Sequence, residues 1–352
     1  MTSDVTVAAP DARQASASLT QMMRTLRPVL AGLDAAPDLR GAPLERLTMR
    51  AEVPGVASCL PLEAPGARAV PPAVSPVVDA FLDGIQRSRV VAHVHGAPLV
   101  FATVAAAIRE RIDRRLLTWE RPLVHRLLLA SRVALGDARW EQLTESGAPL
   151  VDIDTAPDDG AVNAAAAWHP HAMRARALEL VALEREQLER QLAAAWCARE
   201  ARWLWIDGGV SGNLALDAST SAFGVVKSHN TLYGDAASVR AVLALREGER
   251  SPAFLVGHRP RRAVASWYLR WRAPVTHDPL FGLLRVEVSP PAALLDADCP
   301  PAVRDAFTAQ CDRLSSGMLC ERLPVSLPDH RWDTLAYGVH AVETYLHSLI
   351  GP

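Results

Sequence analysis

Two aspartates, each followed by glycine, are the residues in this sequence whose surroundings best suit chemistry. Asp83 follows the mainly apolar run Val77–Leu82, and Asp207 follows Trp203–Ile206. If both runs are parallel neighbouring strands, the two carboxylates meet at the edge where open α/β sheets bind their ligands. Carboxylates held that close need a cation, and Mg²⁺ and Mn²⁺ prefer oxygen ligands. The alternative is that each Asp-Gly pair is only a turn.

A third carboxylate is expected from a long helix, which the sequence predicts from about Ala172 to Ala198. At about 100° per residue, its apolar side chains define a buried stripe. The stripe comprises Leu178, Val181, Leu188, Leu192 and Ala195. Glu184 falls within the edge of the stripe and Glu189 at its border, so either glutamate is a candidate ligand. The same segment also fits a solvated helix face with i,i+4 ion pairs.

Further candidates lie at a strand end and near the C-terminus. Lys227 ends the strand-like run Gly224–Lys227 in a chain with almost no lysine, and could hold a scissile phosphate. The plainer interpretation is a surface lysine.

A helix predicted over roughly Trp332–Leu349 places Glu343 and His347 on one face. There Glu343 could complete a metal site and His347 could transfer a proton, or both could belong to an ordinary polar face.

One stretch combines arginine and aromatic side chains densely enough to suggest contacts with DNA. Arginine suits backbone phosphates, and aromatic rings suit unstacked bases. The alternation along Ser266–Arg272 also fits a strand, which would place half of the aromatic side chains in the core. The candidate DNA contacts are Arg259, Arg261, Arg262, Arg270 and Arg272.

The composition constrains the class of protein. The chain has 352 residues, 49% of them hydrophobic, which suffices for one large domain or two average ones. A net charge of −2 gives no general attraction to nucleic acid, so DNA binding would need a local basic patch. Five cysteines without a C-x-x-C pair indicate neither a disulfide framework nor a structural zinc site. Without a signal peptide or an apolar run of about 18 residues, we expect a cytoplasmic protein outside the membrane.

The N-terminal part of the chain differs in composition from the rest. Residues 1–75 are rich in alanine and proline and predict a flexible arm and linker, with an amphipathic helix around Leu19–Leu33. Residues 76–352 are expected to form one domain, with a helical insertion at about 113–170.

The order of the predicted elements indicates an α/β fold. A largely helical stretch is expected over 107–150, before the long helix and the strand that ends at Asp207. Three strands, a long helix and a strand parallel to the first make the order of an RNase H-like mixed sheet flanked by helices. The three antiparallel strands are expected at Val77–Leu82, Arg89–His95 and Pro98–Ala106.

These features together resemble the NurA family of nucleases, whose core is RNase H-like. The resemblance covers roughly residues 77–350. It consists of Asp-Gly after the first strand, a long helix with glutamates, a second Asp-Gly, Val-Val-Lys-Ser-His, Ser-Trp-Tyr-Leu-Arg, Leu-Arg-Val-Glu-Val and a terminal helix led by tyrosine.

The resemblance implies Mn²⁺- or Mg²⁺-dependent cleavage of DNA by a homodimer. It also implies a partnership with a hexameric HerA-type ATPase that translocates DNA, in DNA end processing, DNA repair or phage defence. The family ligands carry over to Asp83 and Asp207, with Glu184 or Glu189 from the helix. The family's Ala-His pair after its last tyrosine is not matched here, and His347 or Glu343 would substitute for it.

Two other functions fit parts of the same pattern. Asp83-Gly84 and Asp207–Gly212 resemble the phosphate loops of actin-like sugar kinases, in which backbone N–H groups hold ATP. That phosphotransferase reading lacks a downstream adenosine motif. The third possibility is a non-catalytic RNase H-like assembly module, in which Asp83 only supports a turn.

Overall fold

The chain divides into two compact units that alternate along the sequence. The first consists of residues 1–50, 84–105 and 123–188, and the second of 51–83, 106–122 and 189–352. The computed structural model describes residues 19–32, 36–37, 55–155, 168–211, 221–257, 263–274, 278–296, 298–322 and 333–350.

The described residues form seven α-helices and fifteen strands. The helices are α1 (Leu19–Gly32), α2 (Arg132–Leu135), α3 (Asp137–Glu145), α4 (Pro170–Arg199), α5 (Ala236–Leu243), α6 (Pro301–Leu319) and α7 (Tyr337–Ile350). The strands are β1 (Ala36–Pro37), β2 (Gly55–Ala57), β3 (Leu60–Pro61), β4 (Arg68–Ala69), β5 (Ala80–Val94), β6 (Ala97–Ile112), β7 (Arg115–Ala130), β8 (Leu150–Asp152), β9 (Leu204–Asp207), β10 (Ala222–Val226), β11 (Thr231–Tyr233), β12 (Glu249–Arg250), β13 (Phe254–Val256), β14 (Val264–Arg270) and β15 (Leu283–Val288). None of these helices is long and apolar enough to cross a bilayer.

The core of the first unit forms where α1 packs on β-strands. Met22, Leu26 and Leu30 recur every fourth residue and therefore share one helix face. They are buried in a cluster that includes Val91 and Phe101. This confirms the amphipathic helix predicted around residues 19–33.

Strands β5, β6 and β7 follow one another through two-residue turns. Both residues of each turn, His95-Gly96 and Asp113-Arg114, have positive φ, as the type I′ turns of antiparallel hairpins require. Asp113-Arg114 has no glycine, so the usual hairpin signal is missing from the sequence.

This meander corrects two sequence predictions. Asp83–Ser88, expected as a turn, lies inside β5, because the segment pairs along its length within the sheet. Residues 107–130, expected to be helical, complete β6 and form β7, and helices occupy only Arg132–Glu145 of the remaining stretch. Local propensity favoured a turn and a helix at these positions, and sheet pairing overrides it.

The second unit is built on a mixed sheet in which β9 lies between β5 and β10. It is parallel to both neighbours, with Leu204 opposite Ala80 on β5 and opposite Ala222 on β10. Beyond β10 the sheet continues antiparallel through β15, β14 and β13. The first strand of the meander is thus parallel to the strand after the long helix, which confirms that prediction.

Asp79 sets the register between β5 and β9. Its carboxylate accepts the Trp203 N–H at 2.9 Å, and its own N–H donates to the Trp203 carbonyl at 3.0 Å. This two-way contact immediately precedes the first pair of the ladder, Ala80 with Leu204. Every later pair along the two strands is therefore aligned by it.

Part of the predicted arm belongs to the second unit's sheet structure. β3 pairs with β13, β4 with β12, and β2 with β11. Arg250, with no solvent exposure, binds Glu63 at 2.7 and 2.9 Å and Asp312 on α6 at 2.6 Å. Residues 55–69 are therefore not a free linker, and most of the remaining arm lies outside the described residues.

Large aromatic side chains fill the core of the second unit. Trp205 and Trp267 are fully buried, and the Trp267 indole N–H donates to Ser315 on α6 at 2.9 Å. Gly338 of α7 presses on the Phe81 ring so closely that a Cβ there would lie 2.3 Å from it. Phe81 pairs with Trp205 on β9, so the two side chains lie on the same face of the sheet, with their ring centroids 6.1 Å apart.

Candidate active site at the ends of the parallel strands

Asp83 and Asp207 occupy equivalent positions on neighbouring strands. Leu82 pairs with Ile206 in the parallel register, so the next residue on each strand is an aspartate. In-register residues of parallel strands point to the same face, and the strands lie about 4.8 Å apart. The register therefore places the two carboxylates side by side, with Asp207 ending β9 and Asp83 continuing within β5.

Lys227, the only lysine in the sequence, joins this pair. Its Nζ lies 2.7 Å from Oδ1 and 2.9 Å from Oδ2 of Asp207. Val225 of β10 is opposite Asp207, and Lys227 lies two residues further, so the strand's alternation returns it to the same face. The Lys227 and Asp207 side chains are each 23% exposed, whereas Asp83 is 9% exposed. Small solutes can therefore reach Asp207 and Lys227.

The backbone after Asp207 turns in a way that needs glycine. Gly208 has φ of +126° and donates its N–H to the Val225 carbonyl at 2.9 Å. Gly224 on the adjacent strand lies against the same turn, where a Cβ would come within 2.4 Å of the Gly208 carbonyl oxygen. Because neither Gly208 nor Gly224 has a side chain, the backbone that follows Asp207 can lie in direct contact with β10.

A buried glutamate that the sequence analysis did not select holds this turn. Glu287 is 3% exposed, accepts the Val210 N–H at 3.0 Å and pairs with Arg285. A Cβ on Gly209 would lie 2.8 Å from the same carboxylate. The available signal was Leu-Arg-Val-Glu-Val, in which two charged residues alternate with apolar ones on a strand with both faces covered.

His229 contributes a neutral imidazole to the loop after Lys227. Burial lowers the pKa of His229 below its ordinary value, and Arg285 and Arg270 add to the effect. Its Nε2 lies 2.7 Å from the Leu283 carbonyl oxygen, so the proton belongs on Nε2 and the lone pair on Nδ1. That Nδ1 is buried without a hydrogen-bond partner in the described part of the chain.

The other predicted ligands have different surroundings. In the first unit, Glu184 accepts His125 Nδ1–H at 2.6 Å. In the second unit, Glu189 is 9% exposed on α4, and Glu343 lies 3.8 Å from His347 one turn along α7. No three His, Cys, Asp or Glu side chains among the described residues form a group that could hold a metal. The expected cluster of three or more ligands is therefore not assembled there.

Two of the predicted DNA contacts, Arg270 at the end of β14 and Arg272 just after it, are buried. Arg270 is fully buried and donates to the carbonyl oxygens of four residues, so it cannot reach a phosphate. Arg272 is only 8% exposed, and burial lowers the pKa of both arginines. The aromatic side chains of the same stretch, Trp267, Tyr268 and Trp271, are also in the core. Arg259, Arg261 and Arg262 lie outside the described residues.

No protein-family model matches the chain, and no curated protein matches it in sequence. The function therefore has to be inferred from the arrangement of Asp83, Asp207 and Lys227.

Proposed function

We propose that this chain is a metal-dependent DNA nuclease in which Asp83 and Asp207 hold Mn²⁺ or Mg²⁺. The observation that carries the proposal is the parallel pairing of Leu82 with Ile206, which is followed on each strand by an aspartate, with Lys227 2.7 Å from Asp207. The order of β5, β6, β7, α4 and β9, with β9 parallel to β5, supports an RNase H-like core. That core and the motifs along it are similar to those of NurA nucleases.

The donor set suits one hard divalent ion. Two carboxylates offer oxygen ligands only, and Mg²⁺ in proteins is commonly bound by one or two carboxylates while substrate phosphates and water complete its shell. Asp83, Asp207 and Lys227 together carry one net negative charge, which attracts a cation. When bound, such an ion would polarise a phosphodiester and stabilise the leaving oxygen.

The surrounding residues would position these groups. Lys227 orients the Asp207 carboxylate through contacts with both oxygens and places a positive charge where a scissile phosphate would lie. Glu287 fixes the turn after Asp207 by accepting the Val210 N–H. Since Glu287 already binds Arg285 as well, we assign it to positioning and not to metal binding.

The proposed partners come from the resemblance to NurA nucleases. We propose that the chain acts in the cytoplasm as a homodimer, and that a HerA-type hexameric ATPase delivers DNA to it. DNA end processing and phage defence are the settings in which this combination would operate.

Degradation of linear DNA tests the nuclease proposal. We expect cleavage with Mn²⁺ or Mg²⁺ and none with EDTA. Asp83→Asn and Asp207→Asn should each lower the rate by roughly 100-fold or more, because each removes a charged ligand with little change of shape. Asp137→Asn, which affects a carboxylate 76% exposed, is the matched control and should cleave like the unchanged protein. Cleavage that survives EDTA, or that both site variants retain, would contradict the proposal.

One observation favours a second candidate, a non-catalytic assembly module. Lys227 contacts both oxygens of Asp207, and no third metal ligand joins the two aspartates among the described residues. In that case the ion pair would only stabilise the strand ends. A protein that binds a HerA-type ATPase but leaves DNA intact with Mn²⁺ would support this candidate over the nuclease.

A further inference from the structure

A cavity of about 460 Å³ lies in the second unit, away from the two aspartates. One wall is Ala73–Pro76, the segment that leads towards β5, and another is Cys320–Arg322, which follows α6. Arg111 reaches the cavity from β6 and donates to the Val78 carbonyl at 2.6 Å. Val78 precedes Asp83 by five residues, about 17 Å along an extended strand. The volume is in the range of small-molecule sites.

Positive charge dominates the lining. Three arginines face one carboxylate, Glu321, and that carboxylate is already bound by Arg111 through two 2.8 Å contacts. Arg114 is exposed and makes no hydrogen bond or ion pair with the residues the structure describes. Arg322 uses Nε and Nη1 for its contacts with Leu319, Glu247 and Trp271, and its Nη2 has no hydrogen-bond partner among the described residues. The cavity therefore offers guanidinium donors to an anion.

An apolar and aromatic surface lies beside these donors. Tyr337 is 53% exposed at the start of α7, and its ring packs on no other aromatic ring in the described ranges. Val74 is fully exposed, and Pro76 extends the same wall. A phosphate ion alone would occupy a small part of this volume, whereas a ligand that also carries a planar ring would use the tyrosine.

We propose that this cavity binds a nucleotide, with its phosphate on Arg114 and Arg322 and its base against Tyr337. A guanidinium group can donate two parallel hydrogen bonds to the oxygens of one phosphate. Aromatic side chains can stack on any of the bases. The site is separate from the two aspartates and requires no cleavage activity. A mononucleotide and the phosphorylated end of a DNA strand present the same chemistry to it.

Cys320 provides a reporter inside the cavity. It is the exposed member of five free cysteines, and Cys59 and Cys197, both partly buried, give internal references. Its alkylation by iodoacetamide, followed by mass spectrometry in EDTA, measures occupancy without any nuclease activity. At ten times the dissociation constant, thymidine 5′-monophosphate should slow Cys320 alkylation about tenfold. A 5′-phosphorylated dT₃ oligonucleotide should protect similarly if strand ends also enter the cavity.

Variants of the cavity residues, together with inorganic phosphate as a probe, test whether the cavity recognises a nucleotide. Arg114→Ala and Tyr337→Ala should each abolish protection, measured for each variant as the ratio of its own Cys320 alkylation rates without and with thymidine 5′-monophosphate, because both residues lie near the thiol and can change its basal rate. Arg115→Ala, a change at the adjacent exposed arginine outside the cavity, should retain protection. Equal protection by inorganic phosphate would reduce the cavity to a simple anion site and overturn the assignment. So would the absence of protection by thymidine 5′-monophosphate, or protection that survives in both cavity variants.

Discussion

Two clusters in the second unit contain the same kinds of charge but are built differently. In one, Arg250 binds the carboxylates of Glu63 and Asp312. In the other, Lys227 binds Asp207 beside Asp83. Arg250 has no exposure and reaches segments 187 and 62 residues away, whereas Lys227 and its partner are 23% exposed.

The difference indicates different roles. Each of the three guanidinium nitrogens of the buried Arg250 already binds a partner, so this arginine joins distant segments of chain and is not exposed to a ligand. A partly exposed lysine beside two neighbouring carboxylates leaves a cluster of net negative charge that solutes can reach. We therefore assign the Arg250 cluster to stability, and the exposure of Lys227 and Asp207 is consistent with the proposed role of the Asp83, Asp207 and Lys227 cluster in binding a cation.

The largest expected effect is on stability, at the Arg250 cluster. Arg250→Met should lower the free energy of unfolding by about 3 to 5 kcal/mol, because two carboxylates lose their buried partner. Urea unfolding measures this. Arg68→Met is the control, since Arg68 also binds Asp312 but its side chain is 47% exposed, and it should cost less than about 1 kcal/mol. Similar losses in the two variants would contradict the assignment of a larger stabilising role to the buried Arg250 than to the exposed Arg68.

Replacement of Lys227 should affect DNA cleavage more than stability, unlike replacement of Arg250. Lys227→Met should lower metal-dependent DNA cleavage by about 100-fold, because the charge next to the phosphate is lost, with little change in the unfolding midpoint. Lys227→Arg should restore part of the rate. A large loss of stability with unchanged cleavage per folded molecule would place Lys227 in the same structural class as Arg250.

Close backbone packing at the turn after Asp207 should also contribute to stability. Gly224→Ala places a Cβ 2.4 Å from the Gly208 carbonyl, so we expect a loss of about 1 to 3 kcal/mol by thermal or urea unfolding. Gly257→Ala is the matched control, because its Cβ would meet only the Ala263 Cβ at 3.7 Å. Equal stability of the two variants would show that the contact between Gly224 and the Gly208 carbonyl is not tightly packed.

The smallest effect concerns acid stability. Burial raises the pKa of Glu63 and Asp312, but hydrogen bonds from Arg250 and, for Asp312, Arg68 outweigh it and hold both below the ordinary 4.5 and 3.8. The ionised Glu63 and Asp312 carboxylates therefore contribute fully to the free energy of unfolding above about pH 4.5. This contribution is lost as the pH falls through their lower folded-state pKa values. Urea unfolding between pH 6 and 3 should give a shallower decline for Glu63→Gln/Asp312→Asn than for the unchanged protein. Parallel declines would contradict this assignment.

The sequence predicted the elements that carry their own periodicity. Helix α4 and the short strand β9 were recognised because their apolar patterns are local, and the parallel pairing of β9 with the first strand followed from their order. The proximity of Asp83 to Asp207 stays a prediction, because the pairing of the two strands ends one residue before them, at Leu82 and Ile206. Helix α6 was not predicted.

The remaining features depend on contacts between distant residues. Strand β7 was taken for helix because its turn, Asp113-Arg114, lacks glycine and its pairing is not visible locally. The Arg250 cluster joins residues far apart in sequence, so no spacing rule could reveal it. Arg270 looked like a DNA contact because its neighbours alternate with aromatic residues, and only its burial shows that it caps a loop.

Iron-mediated cleavage of the polypeptide tests whether Asp83 and Asp207 hold one metal ion together. Fe²⁺ bound in place of Mn²⁺ or Mg²⁺ generates radicals with ascorbate and peroxide, and these cut the backbone near the ion. We predict cuts next to Asp83 and Asp207, suppressed by excess Mn²⁺ and absent from Asp207→Asn, while Asp137→Asn retains them. Cuts elsewhere, or cuts beside Asp83 that persist in Asp207→Asn, would contradict a metal held jointly by the two aspartates.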